Sequence, residues 1–161
     1  MNITAKQLRL YAVTDRHWLN GQRLEDVAEE LLAAGVTCLQ LREKHQDPAE
    51  FVRMARALKP ICARYGVPLI LNDAVELAKE VDADGVHVGQ SDIPVEVCRK
   101  LLGPDAIVGL SARCEEMLEY VKTADMSLVD YLGIGPLHET ETKRDCGRAA
   151  DGSIITKSFE D

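Results

Sequence analysis

The chain has 161 residues, 46% of them hydrophobic and 29% charged, a composition suited to one soluble globular domain with its own core. A formal net charge of −8 excludes the field of excess Lys and Arg that a nucleic-acid or anionic-membrane partner needs, so any bound anion has to be met by a few local cations. No segment approaches the roughly 20 apolar residues that span a bilayer, and the start, MNITAKQLRLYAVTD, lacks the apolar run and cleavage site of a secretory signal, which points to the cytoplasm.

Strand-like apolar runs alternate with amphipathic helical runs along the chain, the order of βα units on a parallel sheet. LRLYAVTD (8–15) leads to a helix with Leu24, Val27, Ala28, Leu31 and Leu32 inward, stopped by Gly35. VTCLQLREK (36–44) leads to a helix opened by Asp47-Pro48, with Phe51, Met54, Leu58, Ile61 and Tyr65 inward and Gly66 at its end. VPLILND (67–73) precedes a short helix, and GVHVGQSD (85–92) precedes a stripe of Val97, Cys98, Leu101 and Leu102. AIVGLSA (106–112) precedes Cys114, Met117, Leu118 and Val121, and VDYLGIGP (129–136) is the sixth strand. No repeat beyond this alternation and no linker appears, so residues 1–161 are expected to form one domain.

The polar residues gather where the strands end, which is where parallel sheets bind ligands. In CLQLREK, period-2 alternation puts Gln40, Arg42 and Lys44 on one face and Leu39 and Leu41 on the other. Alone, R-x-K is more often the solvated end of a strand; with Gln40 beside it, two cations and an amide suit a doubly phosphorylated ligand. Asn72-Asp73 and Asp92 have the ordinary reading of helix N-caps. Together the two carboxylates suit a hard divalent cation such as Mg2+ that bridges to phosphate oxygens. Ser111 opens a turn after a strand and is either a cap or an anion contact. In GIGPLHETETKRD (133–145), Gly133 and Gly135 permit close backbone approach, while Thr140, Thr142 and Lys143 offer two hydroxyls and a cation. His87, within a buried-looking strand, reads first as a satisfied core histidine. The five cysteines, Cys38, Cys62, Cys98, Cys114 and Cys146, are odd in number and scattered, so they read as reduced thiols. The histidines His17, His45, His87 and His138 have no ligand spacing for a transition metal.

Taken together, YAVTDR, GVTCLQLREK, VPLILND, ADGVHVGQSDIP, VGLSA and GIGPLHETETKRD resemble, in order and spacing, the thiamine phosphate synthase family, over residues 8 to about 147. The resemblance implies a TIM (β/α)8 barrel and a transferase. That enzyme joins a hydroxymethylpyrimidine pyrophosphate to a hydroxyethylthiazole phosphate, giving thiamine phosphate and pyrophosphate with Mg2+. It further implies that Arg42, Lys44, Ser111 and Lys143 hold the pyrophosphate, that Asp73 and Asp92 bind the magnesium, that Tyr11, Gln40, Asn72 and His87 line the pyrimidine pocket, and that Thr140 and Thr142 lie beside the thiazole. No protein nucleophile is implied, and the partners would be these two small molecules, with a homo-oligomer left open.

The chain departs from the family pattern in reading Glu139-Thr140-Glu141-Thr142-Lys143 where Pro-Thr-x-Thr-Lys is usual, and Arg113-Cys114 after the strand-five serine where histidine and threonine are common. Only about six βα units are legible, and closing a barrel would take roughly 50 more residues at this repeat length; the expectation is a barrel cut short before its seventh and eighth units. Two rivals stand beside the synthase. One is thiazole tautomerase of the same fold, disfavoured by Arg113 and by the full Q-x-R-x-K with both aspartates. The other is a non-catalytic phosphate-ligand binding barrel remnant.

Overall fold

The computed structural model describes residues 2–43, 47–89, 92–112, 121–122 and 125–134. Six parallel strands, β1 (Tyr11–Val13), β2 (Cys38–Leu41), β3 (Leu69–Asn72), β4 (Gly85–Val88), β5 (Ile107–Ala112) and β6 (Tyr131–Ile134), lie side by side in sequence order. Helices α1 (Leu24–Ala33), α2 (Pro48–Tyr65), α3 (Val75–Glu80) and α4 (Val95–Leu102) follow the first four strands, as the alternation predicts. The sheet is curled: the hydroxyls of Tyr11 on β1 and Tyr131 on β6 lie 2.7 Å apart across the concave side. Among the described residues no ladder joins β6 back to β1.

The helices cover the convex face of the sheet, and a small apolar cluster fills the base of the concave one, which is why the strands are apolar on one side throughout and on the other only in part. Leu39, Leu41, Leu69, Leu71, Val86, Val88, Val108 and Leu110 pack outward against Ala28, Leu32, Met54, Leu58, Ala78 and Cys98 of the helices. The alternate residues Cys38, Ile70 and Ile107 point inward, and Ile3, 1% exposed, plugs that floor from below. Inward positions therefore change character along β2, β3 and β5, from Cys38, Ile70 and Ile107 at the start to Gln40, Asn72 and Ser111 at the end.

The floor is held by an ion pair. Arg99 on α4 donates to Asp130 Oδ2 at 2.9 Å and to the carbonyls of Ala106 at 2.5 Å and Leu128 at 2.8 Å. Asp130, only 5% exposed, also accepts from the N–H groups of Asn2 at 2.6 Å and Val108 at 2.9 Å. Burial works against its charge, but these donors outweigh it and hold the carboxyl below the usual carboxylate range.

Several local readings change. Leu31, Tyr65 and Val97 are each about 40% exposed rather than inward, because each helix packs on the convex face of the sheet along a stripe narrower than its apolar spacing suggests. β2 ends at Leu41, so Arg42 lies beyond the ladder instead of within it. Gly66 does end α2 in the left-handed conformation, and Asp47 caps it by accepting from Ala49 N–H at 2.9 Å. The helix expected at Cys114, Met117 and Leu118 lies outside the described residues, as do Cys146 and the loop from Gly135 onward.

Candidate functional site

The carboxyl ends of the strands open into one cavity of about 620 Å³, lined by Tyr11, Gln40, Arg42, Asn72, His87 and Ser111 together with residues of the β1 loop and β6. Thus all six of the described residues expected to hold the pyrimidine and pyrophosphate meet in one place. Registry explains why: Val13 pairs with Gln40, Gln40 with Ile70, Asn72 with His87, His87 with Gly109 and Ser111 with Gly133, so side chains of equal parity project to the same side.

Inside the cavity the polar groups form a continuous chain. Gln40, 5% exposed, donates from Nε2 to the Tyr11 hydroxyl at 3.0 Å. The Tyr11 and Tyr131 hydroxyls share a hydrogen bond, and the Tyr131 hydroxyl lies 3.1 Å from His87 Nδ1. His87 Nε2 lies 3.0 Å from Ser111 Oγ. His87 is therefore satisfied, as a core histidine would be, yet its ring also faces the cavity. Burial raises both tyrosine hydroxyls well above their ordinary range, so they stay neutral and act only through hydrogen bonds. A row of neutral donors and acceptors suits the edge of a polar heteroaromatic ring, while Arg42 at the rim suits an anion.

Tyr131 was not singled out by sequence reasoning. One signal could have found it: it stands two residues before Gly133, hence on the same face; its pairing with Gly109 is set by the sheet register. A Cβ at Gly109 would run into the Tyr131 ring, and one at Gly133 would sit 2.8 Å from His87 Cε1. Two glycines thus leave room for two rings, and Gly133 has the close-approach role its sequence position implied.

Asp73 follows β3 with φ +60°, a left-handed conformation that non-glycine residues adopt at a cost and that clusters at functional positions. Asn72 Nδ2 donates to Asp73 Oδ2 at 2.5 Å. Asp92, after β4, accepts from Gly89 N–H at 2.7 Å. Neither aspartate caps a helix: the cap positions of α3 and α4 are Ala74 and Pro94, without side-chain cap bonds, so the ordinary reading of these residues does not hold. A smaller cavity of about 260 Å³ beside the first is lined by Glu43, Asn72 and Asp73. Among the described residues no cluster of three His, Cys, Asp or Glu could hold a metal; Asp73 lines the smaller cavity with Asn72, whereas Asp92 lines neither of the two cavities. Carboxylate and amide oxygens are donors of the kind Mg2+ takes when it keeps several waters. Lys44, Thr140, Thr142 and Lys143 lie outside the described residues. No described helix is long and apolar enough to cross a membrane.

The chain is similar to known proteins in sequence and in fold. The chain is 41% identical over 138 residues to the thiamine-phosphate synthase of Clostridium novyi (strain NT), covering 85% of this chain and 66% of that one. It is 46% identical over 145 residues to the thiamine-phosphate synthase of Clostridioides difficile (strain 630), covering 90% and 68%. The solved thiamine phosphate pyrophosphorylase of Pyrococcus furiosus superposes with a TM-score of 0.72 at 32% identity, over 84% of this chain and 64% of that one. The chain thus spans about two thirds of the length of the relatives it matches. A family model described as thiamine monophosphate synthase matches residues 10–160, and the chain belongs to that family.

Proposed function

We propose that this protein is a thiamine phosphate synthase, a cytoplasmic transferase that joins hydroxymethylpyrimidine pyrophosphate to hydroxyethylthiazole phosphate within one barrel domain. The observation that carries the reading is the convergence of Gln40, Arg42, Asn72, His87 and Ser111, from four different strands or their ends, on one cavity with Tyr11. Family membership and the relatives' shared name support it. The acidic net charge of −8 argues against a nucleic-acid partner, and a small-molecule anion has to be met by local cations such as Arg42.

In this mechanism the Gln40, Tyr11, Tyr131 and His87 chain orients the pyrimidine ring, leaving its methylene carbon exposed to the second substrate. Arg42 and Ser111, with Lys44 and Lys143, take the growing negative charge as the carbon–oxygen bond to pyrophosphate breaks. The thiazole nitrogen then adds its electron pair to the pyrimidinylmethyl cation, and Thr140 and Thr142 are the residues that the family resemblance assigns to the thiazole. Asp73 and Asp92 would hold Mg2+, which supplies charge neutralisation to the leaving pyrophosphate when bound. No covalent bond to the protein forms, in keeping with neutral tyrosines and a histidine tied on both nitrogens.

Incubating the full chain with both substrates and Mg2+ should yield thiamine phosphate and pyrophosphate in equal amounts. Asp92→Ala should abolish Mg2+-dependent pyrophosphate release while the circular dichroism spectrum stays that of the parent. No product from the parent chain would overturn the synthase reading, and full turnover in the variant would remove Asp92 from the metal site.

A further inference from the structure

β2 gives up its ladder at Leu41, and what happens to the next residue decides where the Arg42 guanidinium can reach. The backbone N–H of Arg42 does not go unpaired: it donates to Thr14 Oγ1 at 3.0 Å. Thr14 is 8% exposed, and its own N–H continues the β1–β2 ladder by donating to Gln40 O at 2.9 Å. The Thr14 hydroxyl proton has a separate destination, since Oγ1 donates to Glu43 Oε1 at 3.1 Å, while the Arg42 carbonyl is a poorer acceptor at 3.5 Å. One hydroxyl thus takes a backbone donor and gives to a carboxylate. Glu43 thereby turns the Thr14 lone pair toward Arg42.

We propose that Thr14 and Glu43 are positioning residues that clamp the end of β2 and so aim Arg42 at a diphosphate group in the cavity. Thr14 and Arg42 line the large cavity together, and Glu43 lines the small one beside Asp73, so the clamp lies between the two. Glu43 is half-buried, and its role needs only an acceptor oxygen; a glutamine would serve as well. The identity of the anion rests on the synthase reading; the clamp itself does not.

The test uses the full chain labelled with nitrogen-15 and four variants: Thr14→Val, Thr14→Ser, Glu43→Ala and Glu43→Gln. In the ligand-free protein, exchange of the Arg42 amide proton should quicken in Thr14→Val and Glu43→Ala and stay near the parent rate in Thr14→Ser and Glu43→Gln. Titration with inorganic pyrophosphate and Mg2+ should give binding about tenfold weaker in Thr14→Val, the worth of one hydrogen bond. The serine and glutamine variants should bind within about twofold of the parent, since they keep the same bonds. Unchanged Arg42 exchange in Thr14→Val would overturn the clamp, as would a Thr14→Ser variant that binds no better than Thr14→Val. If the parent chain does not bind pyrophosphate while Arg42 exchange still responds, the clamp stands and the diphosphate assignment falls.

Discussion

Gly109 shows how a single position sets the shape of the cavity. It faces Tyr131 across the β5–β6 pair, and any Cβ there would displace the phenol ring that links Tyr11 to His87. Gly109→Ala should therefore destabilise the protein by about 1–3 kcal/mol, the usual cost of overpacking, and should weaken ligand binding as well, both readable by urea unfolding with and without pyrophosphate. Asp130 carries the opposite kind of constraint, a buried charge that must stay paired. Its carboxyl sits below the ordinary range in the folded protein. The stability it contributes is thus present above its unfolded value of about 3.9 and lost as pH falls through the lower native value. Asp130→Asn should be less stable than the parent at neutral pH, and the gap between their urea midpoints should close progressively below about pH 4.

At the level of the elements, α2 is the longest of the described helices and buries the most residues against the outer face of the sheet. Phe51, Met54, Ala55, Leu58 and Cys62 form its buried stripe, while Tyr65 at its end is exposed. Asp47 and Pro48 start it and Gly66 stops it, so both boundaries follow from local chemistry. Leu58, with no exposed surface, packs against the outer face of the sheet. Leu58→Ala should cost about 2–5 kcal/mol in urea unfolding, through lost burial and the cavity left behind. The exposed Leu31, Tyr65 and Val97 mark where periodicity alone misleads: it shows which residues share a helical face, but the width of the buried stripe is decided by the neighbouring sheet.

On the scale of the whole molecule, an acidic chain builds one polar cavity by curling a sheet whose outer face is wholly apolar. The described thiols fall into that apolar architecture: burial pushes Cys38 up to about 12 and Cys62 up to about 11, and raises Cys98. In the native protein at pH 8, Cys38 and Cys62 should resist alkylation, and peptide mapping should find both labelled once urea is added. The alternation of apolar and amphipathic runs determined the βα order, the strand ends determined where polar residues would collect, and motifs such as QLREK and GVHVGQSD carried the family resemblance, because all three depend on short-range periodicity and residue type. Other features belonged to tertiary structure alone. That Tyr131 closes the chain between Tyr11 and His87 depends on how far the sheet curls, while the capture of Arg42 by Thr14 and the capping of α3 and α4 at Ala74 and Pro94 instead of at Asp73 and Asp92 depend on where each strand gives way to its loop. Tyr11 and Tyr131 stand 120 positions apart; no local pattern encodes the distance between their hydroxyls, which is set by the summed packing of the helices against the convex face.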